Sequence, residues 1–269
     1  MPEPVLRICA LYPELMNIYA DRGNLLMLQR RCAWRGIGFE LVAAGLGEAI
    51  DPDAHDLFYL GGGQDRDQAL CAYDLVETKR DALHEAAGSG GLVLGICGGF
   101  QLLGHSYVLG DEELPGAGLV DLRTVREDGP RLIGNVAIEV QLPGIDGVGG
   151  RRVLAGFENH GGRTHLGPAE QPLGRVLRGH GNTGRSGFEG VRRDHVIGTY
   201  LHGPLLPKNA WFADWLIATA TGTGQLDALD DRLEDAAHRS ALQAAGVQAP
   251  DDLPPGRGAR SAHGRLRPR

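Results

Sequence analysis

Cysteine and histidine are the residue types in this 269-residue sequence best suited to nucleophilic chemistry, and the chain contains four cysteines and ten histidines. The cysteines are Cys9, Cys32, Cys71 and Cys97. No two of them form a Cys-x-x-Cys pair, so a zinc ribbon or a thioredoxin-type site is not supported. Isolated cysteines in a cytosolic chain are most often small buried apolar residues, which leaves the question of whether one of the four differs from the others.

Cys97 stands apart because it directly follows the apolar segment 91–96 and precedes Gly98 and Gly99. This order predicts a strand that turns sharply into a helix at the cysteine, as in a nucleophile elbow, where small neighbours relieve the crowding of the turn. The start of the helix would lower the pKa of the thiol, and the N–H group of Gly98 could bind an oxyanion. The competing interpretation is a buried cysteine beside a packing pair of glycines.

A cysteine nucleophile requires a general base, and two histidines are candidates. His202 directly follows a strong apolar segment, so we expect it at the same sheet edge as Cys97. His160 lies in a polar segment that could line the site and is the second candidate. The alternative role for His202 is to stabilise the turn that comes after it.

A run of three glycines, Gly61 to Gly63, follows another apolar segment. Glycine lets backbone N–H groups approach a substrate carbonyl closely, so this run could complete an oxyanion hole. It does not match G-x-G-x-x-G, and no G-K-[ST] occurs in the sequence. An ATP or dinucleotide site is therefore unsupported, and we expect no cofactor or metal in this chain.

The elements that must position these residues alternate between strands and helices. Apolar segments at 6–11, 39–42, 56–60, 91–96 and 196–201 predict strands, segments at 24–35, 67–87 and 211–220 predict helices, and shorter strand-like pieces occupy 132–140 and 151–157. The longer strands do not alternate in polarity, which is typical of a parallel sheet covered on both faces. We therefore predict an α/β fold with a mostly parallel sheet flanked by helices, in which ligands bind beyond the carboxyl ends of the strands.

The composition is that of a globular protein, with 42% hydrophobic residues and 42 glycines that follow no collagen-like period. The net charge of −7 argues against nucleic acid as the main partner. The sequence contains no uncharged apolar stretch of membrane-spanning length, and its first residues do not resemble a secretory signal. These observations predict a cytoplasmic protein that does not insert into the membrane.

The sequence becomes polar and proline-containing after residue 224. We predict a catalytic domain at 1–224 and a C-terminal extension at 225–269, with one helix at 226–245 and a partly disordered tail rich in Arg, Pro and Gly. A functional basic patch is the alternative interpretation of the tail.

The motifs in combination resemble those of class I (triad) glutamine amidotransferases, which have a flavodoxin-like fold. The cysteine elbow at 95–101 and the segment 198–203 are similar to the cobyric-acid-synthase-like branch of this class. Segments at 19–24, 61–68, 156–164 and 205–209 resemble the GatD family, whose members are the glutaminase subunits of lipid II isoglutaminyl synthase. The resemblance extends over residues 5–220.

This resemblance implies a covalent mechanism at Cys97. The thiol would attack the side-chain amide of L-glutamine and release ammonia, and water would then cleave the glutamyl thioester. His202 would activate the thiol and transfer protons. The N–H group of Gly98 and one from Gly62 or Gly63 would hold the tetrahedral oxyanion.

Two further residues are implied in substrate binding. Arg131 matches the family position associated with glutamine, where it would pair with the α-carboxylate. A salt bridge within the protein is the alternative role for this arginine. Gln101 lies one helical turn after Cys97 and would line the same pocket, beside Gly63.

The sequence departs from the wider class at Pro204. Ordinary triad amidotransferases carry a glutamate two positions after the histidine, and it orients the imidazole. Here nothing acidic lies between His202 and Asp214. The resemblance implies that a Mur-ligase-like partner subunit, MurT, supplies the missing acid together with the ATP and Mg²⁺ needed for ATP-dependent amidation of lipid II D-isoglutamate to D-isoglutamine in peptidoglycan synthesis.

Three other interpretations remain open at this stage. The chain could be a glutaminase subunit that serves another amidation, such as that of a corrinoid side chain (cobyrinate-type). It could instead be a catalytically silent subunit that only scaffolds a ligase. A stand-alone cysteine hydrolase is the weakest of the three, because Pro204 leaves its general base without an orienting acid.

Overall fold

The computed structural model describes residues 3–17, 21–144 and 151–248. Its strands are β1 (Val5–Leu11), β2 (Gly38–Ala44), β3 (Leu57–Leu60), β4 (Leu92–Ile96), β5 (Ser106–Leu109), β6 (Glu112–Pro115), β7 (Leu122–Arg126), β8 (Leu132–Gln141), β9 (Arg151–His160), β10 (Gly162–Leu166), β11 (Gly174–Arg178), β12 (Phe188–Glu189), β13 (Val191–Arg193) and β14 (Val196–Thr199). Its helices are α1 (Arg22–Ala33), α2 (Asp65–Asp74), α3 (Arg80–Gly88), α4 (Gly98–Leu102), α5 (Leu205–Lys208), α6 (Ala210–Thr221) and α7 (Arg232–Ala244), and a π-helical turn, Leu75–Lys79, joins α2 to α3.

A six-stranded sheet in the order β13-β14-β4-β3-β1-β2 forms the centre of the fold. Its neighbouring strands are parallel, except that β13 runs antiparallel to β14. Every residue of β3, β4 and β14 is buried, as expected for strands covered on both faces. The predicted α/β fold with a mostly parallel sheet is confirmed, and the predicted strands fall on β1 to β4 and β14.

Two smaller sheets pack beside the central one. One has the order β10-β7-β5-β6 and the other the order β12-β11-β8-β9. The strand-like pieces predicted at 132–140 and 151–157 are β8 and β9, which pair antiparallel along their full length. The remaining strands of these sheets were not predicted, because they are short and interrupted by glycine and polar residues.

Helix α1 is fixed to the C-terminal part of the fold by a buried arginine. Arg31 is fully buried and donates to both carboxylate oxygens of Asp231 at 2.8 Å, and its guanidinium also pairs with Asp214 on α6. Because a buried guanidinium left without partners would be strongly destabilising, these two partly buried carboxylates are needed to keep the arginine inside the fold.

Helix α7 packs against strands β8 and β9. Leu242 on α7 is fully buried in a small apolar cluster with Ala137 of β8 and Ala155 of β9. His238 Nδ1 lies 2.8 Å from the carbonyl oxygen of Lys208 at the end of α5. The predicted tail at the end of the chain lies outside the described residues, and the domain boundary at 224 stays a prediction.

The described helices include none that combines the length and apolarity needed to cross a bilayer.

Candidate active site

Cys97 occupies a strained turn between β4 and α4. Its backbone angles are φ 53° and ψ −106°, outside the regions that L-residues prefer, which costs about 1–3 kcal/mol. Its N–H donates to the carbonyl of Thr199 at 2.8 Å, and the N–H of Gly99 donates to Gly61 at 3.0 Å. The geometry is that of the nucleophile elbow predicted from the sequence.

The glycines around Cys97 are required by close backbone approach. A Cβ atom on Gly99 would lie 2.2 Å from the carbonyl oxygen of Leu60, and one on Gly98 would lie 3.0 Å from the amide nitrogen of Gly63. The elbow and the glycine run therefore lie directly against each other, and the amide groups of Gly98 and Gly63 lie near one another. This placement agrees with the oxyanion hole proposed for these two glycines, which stays a prediction.

The thiol of Cys97 is held in its neutral form. Burial raises its pKa to about 12, the charge of Asp21 adds to the effect, and the N–H of Gly98 opposes it. The prediction that the helix start lowers the pKa of the Cys97 thiol was wrong. Helix α4 has only five residues, and Cys97 is only 6% exposed. Desolvation outweighs the small dipole of so short a helix, so the thiol needs a base to become a nucleophile.

His202 leaves the sheet beside Cys97. Strands β4 and β14 pair in parallel, with Ile96 opposite Thr199, so the two candidate catalytic residues follow neighbouring strands at one edge. The backbone of His202 exchanges two 3.0 Å hydrogen bonds with Phe157 on β9, which fixes its position. Burial lowers its pKa to about 4, so the imidazole is neutral at pH 7 and able to accept a proton.

His160, the second candidate base, packs against the ring of Tyr200. Its ring stacks on Tyr200 with centroids 3.5 Å apart, and its Nδ1 lies 2.8 Å from the carbonyl oxygen of Gly162. Its Nε2 lies 3.7 Å from the buried carboxylate of Glu158. These contacts favour a role in supporting Tyr200 over a role as the base of the thiol.

Gln101 is buried in a network of side-chain hydrogen bonds. Its Nε2 donates to the hydroxyl of Tyr200 at 3.1 Å, and its Oε1 accepts from Nε2 of Gln68 at 2.8 Å. Gln68 also donates to the carbonyl of Gly98 at 3.4 Å. Through Gln68, this network is hydrogen-bonded to the elbow at Gly98. A direct contact of Gln101 with substrate stays a prediction. Gln68 and Tyr200 were not singled out from the sequence, although both lie in or beside the motifs quoted.

The N–H group of Gly62 is already hydrogen-bonded to a buried carboxylate, which was not predicted from the sequence. The N–H of Gly62 donates to Oδ2 of Asp21 at 2.9 Å. Asp21 is fully buried, and burial raises its pKa to about 7, against the opposing effects of this hydrogen bond and of the charge of Lys208. Of the two glycines proposed as the second oxyanion donor, Gly63 is therefore the better placed. The only sequence signal was the acidic position within the motif at 19–24.

Arg131 lies just before β8 with its side chain exposed. Its Nε donates to Oδ1 of Asn159 at 2.8 Å and its Nη2 to the carbonyl of the same residue at 2.7 Å. Its charge acts on both Cys97 and His202, which places it beside the site. It forms no ion pair with any residue that the structure describes, so its positive charge is available to a substrate carboxylate.

The four cysteines are free and buried, and only Cys97 lies at an elbow. Within the described ranges, no group of three or more histidine, cysteine, aspartate or glutamate side chains is arranged to hold a metal ion. The chemistry available at this edge of the sheet is nucleophilic attack by a thiol, with a neutral imidazole as base and backbone N–H groups for an oxyanion.

Comparison with known proteins agrees with this geometry. Residues 7–210 match the family model described as the CobB/CobQ-like glutamine amidotransferase domain. The chain is 38% identical over 216 residues to the GatD subunit of lipid II isoglutaminyl synthase (glutamine-hydrolyzing) from Streptococcus pneumoniae, covering 80% of each chain. It is 39% identical over 208 residues to the GatD subunit from Staphylococcus aureus, covering 77% of this chain and 81% of that protein.

Among solved structures, a chain in the structure of PurLQS from Thermotoga maritima superposes with a TM-score of 0.55 at 20% identity. The superposition covers 81% of this chain and 96% of that one, and it supports the fold. From the elbow geometry, the family match and the identity to both GatD subunits, we conclude that this chain belongs to the CobB/CobQ-like glutamine amidotransferases, in the group of the GatD subunits.

Proposed function

We propose that this chain is the glutaminase subunit of a lipid II isoglutaminyl synthase. The observation that carries the proposal is the strained elbow at Cys97, hydrogen-bonded to the strand that leads to His202. The names of the two GatD relatives, each covered over about four fifths of its length, supply the acceptor, lipid II. The reaction takes place in the cytoplasm, where ATP is available.

The chemistry proceeds through a thioester. His202 removes the proton from Cys97, and the thiolate attacks the side-chain carbonyl carbon of L-glutamine, forming a C–S bond. The proton passes from His202 to the leaving nitrogen, and the C–N bond breaks to release ammonia. Water then attacks the thioester, which restores the thiol and releases glutamate. The N–H groups of Gly98 and Gly63 stabilise the oxyanion, and Arg131 binds the α-carboxylate.

A partner subunit supplies the acid that the chain lacks after His202. Asp214, the first acidic residue after His202, is already paired with Arg31 and Arg35. Because burial raises the thiol pKa and lowers the imidazole pKa, the thiolate–imidazolium pair is disfavoured in the chain alone. A carboxylate from the partner beside the imidazole would reverse the second of these shifts.

The partner also carries the nucleotide chemistry. The sequence contains no G-K-[ST] motif, and amidation of a carboxylate requires its prior activation. We propose that a Mur-ligase-like subunit, MurT, binds ATP, Mg²⁺ and lipid II, and that it receives the ammonia released here to convert D-isoglutamate into D-isoglutamine.

The proposal is tested by measuring glutamine hydrolysis by the purified chain with and without the copurified Mur-ligase-like protein. We expect the rate to rise about tenfold or more in the complex, because an oriented base is gained. Equal turnover by the chain alone would contradict the partner-supplied acid. Muropeptide mass spectrometry after depletion tests the acceptor, since unchanged isoglutamine content would point instead to another amidation.

A further inference from the structure

Asp21 occupies a helix-capping position without capping its helix. It precedes α1, where an aspartate normally accepts a hydrogen bond from the first-turn N–H groups, but its side chain makes no such bond. Instead the side chain reaches the glycine run, where Oδ2 accepts the N–H of Gly62 at 2.9 Å. Its Oδ1 has no hydrogen-bond partner among residues 3–17, 21–144 and 151–248. Helix capping therefore does not explain why a carboxylate is buried here.

No ion pair explains it either. The charge of Lys208 lowers the pKa of the Asp21 carboxyl, but the Nζ of Lys208 donates its hydrogen bond to the carbonyl of Gly203. The described part of the chain contains no salt bridge to Asp21. Burying a carboxylate costs folding free energy, and the one backbone N–H bound here offsets only part of that cost. A group kept at such a cost is a candidate for a functional role.

The backbone around Asp21 is anchored to both sides of the site. Its carbonyl accepts the hydroxyl of Tyr59 on β3 at 3.2 Å, which in turn accepts Nδ2 of Asn24 at 2.9 Å. A Cβ atom on Gly23 would lie 2.7 Å from Cγ of Pro204, so this segment packs against the turn that follows His202. The segment that carries Asp21 therefore lies between the glycine run and the turn that follows His202.

The charge of Asp21 reaches the nucleophile. Ionised Asp21 raises the pKa of the Cys97 thiol, and Arg131 opposes this effect. The titratable groups that act on Asp21 or are acted on by it are Lys208 on α5, Tyr59 on β3 and Cys97 at the elbow. Asp65 on α2 acts in the same direction as Asp21 on the thiol.

We propose that Asp21 is a positioning residue of the glutaminase site, which holds the Gly62 N–H so that the next amide, that of Gly63, stays beside Gly98 for the oxyanion. This inference rests on the proposed function, because an oxyanion forms only if Cys97 attacks an amide. Asp21 does not touch the reacting atoms and acts through the backbone of the glycine run. Its charge also acts on Cys97: together with the larger effect of burial, ionised Asp21 disfavours the thiolate and raises the pKa of the thiol.

The test compares Asp21→Asn and Asp21→Ala in the complex with the partner subunit, with Asp81→Asn as the control because the side chain of Asp81 is 98% exposed. An asparagine oxygen can still accept the Gly62 N–H, whereas alanine cannot. We expect Asp21→Ala to lower kcat for glutamine hydrolysis about tenfold or more with little change in KM, and Asp21→Asn to keep kcat within about threefold. Wild-type kcat in Asp21→Ala, or equal losses in both variants, would overturn the proposal.

The pH dependence of Cys97 alkylation by iodoacetamide provides a readout that a purely structural role would not move. In Asp21→Asn the midpoint should shift to lower pH, because a negative charge near the thiolate is gone, and it should not shift in Asp81→Asn. An unshifted midpoint in a folded Asp21→Asn protein would overturn the electrostatic part even if Asp21→Ala failed to fold. Cys97→Ala separates the two claims: if it still hydrolyses glutamine, the proposed function itself fails, whatever the Asp21 variants do.

Discussion

The amide nitrogen of Cys97 donates a hydrogen bond to the carbonyl oxygen of Thr199 at 2.8 Å. Thr199 is the last residue of β14 and stands three positions before His202. The proposed nucleophile and its proposed base thus follow adjacent parallel strands that this hydrogen bond joins, so the sheet sets their relative placement. A rigid scaffold of this kind is what a reaction that depends on sub-ångström geometry requires.

The close approach at Gly99 predicts a steric requirement for glycine. A Gly99→Ala substitution would drive a methyl group to 2.2 Å from the carbonyl oxygen of Leu60 and 2.8 Å from that of Gly61. We expect a loss of about 1–3 kcal/mol or more in the free energy of unfolding, measured by urea denaturation. Gly88→Ala is the matched control, since a Cβ atom there meets nothing within 4 Å. Equal stability of the two variants would show that the elbow is not tightly packed.

Arg131 is expected to act in binding rather than in the chemical step. In Arg131→Ala, KM for glutamine should rise about 10- to 100-fold, the range for loss of a charge-assisted hydrogen bond, with kcat nearly unchanged. Arg123→Ala serves as the control, because this exposed arginine pairs with Glu113 at 3.1 Å on β6. Steady-state kinetics of the complex would decide the matter, and a fall in kcat at constant KM would reject the carboxylate-binding role.

Helix α7 should contribute to the stability of the whole fold. Leu242 is fully buried, whereas Leu233 on the same helix is 82% exposed. We expect Leu242→Ala to cost about 2–5 kcal/mol in the free energy of unfolding and Leu233→Ala to cost almost nothing. If both substitutions were neutral, residues 225–248 would behave as a separate extension, as the predicted boundary at 224 supposes.

The raised pKa of the buried Glu189 carboxyl predicts that the free energy of unfolding depends on pH. This buried carboxyl accepts the hydroxyl of Thr199 at 2.9 Å and the N–H of Tyr200 at 2.6 Å, and burial raises its pKa from 4.5 to about 8. The folded state therefore binds a proton that the unfolded state releases, and stability from this group falls as the pH rises from about 4.5 to 8.

A Glu189→Gln variant keeps the acceptor oxygen and cannot ionise. Its stability relative to the wild type should therefore increase between pH 5 and pH 8, at a rate of up to about 1.4 kcal/mol per pH unit. Thermal or urea unfolding at several pH values measures the difference. A constant difference across this range would mean that Glu189 ionises normally in the folded protein.

The proposed catalytic pair was predictable from sequence because each residue directly follows a continuous apolar segment. Segments 91–96 and 196–201 are continuous apolar runs, and runs of this kind in an α/β pattern end at one sheet edge. The family resemblance added Arg131, which no periodicity would single out. The structure confirms the sheet, the elbow and the placement of His202 after β14.

Other features of the site and the fold depend on contacts between distant segments, so the local sequence pattern could not predict them. The pKa of Cys97 follows from its burial, which the adjacent helix start does not reveal. The role of Asp21 depends on a hydrogen bond to Gly62, which only the folded chain brings within reach. Short strands such as β12 and β13, with two and three residues, carry no periodicity of their own.

The central claim is that Cys97 releases ammonia from glutamine for use by the partner subunit. The most direct measurement is amidation of lipid II by the complex with Cys97→Ala, comparing glutamine and ammonium as nitrogen donors, with Cys71→Ala as a control because Cys71 is also fully buried and free. We predict that Cys97→Ala abolishes glutamine-dependent amidation and retains ammonium-dependent amidation, while Cys71→Ala retains both. Glutamine-dependent amidation at the wild-type rate in Cys97→Ala would contradict the account.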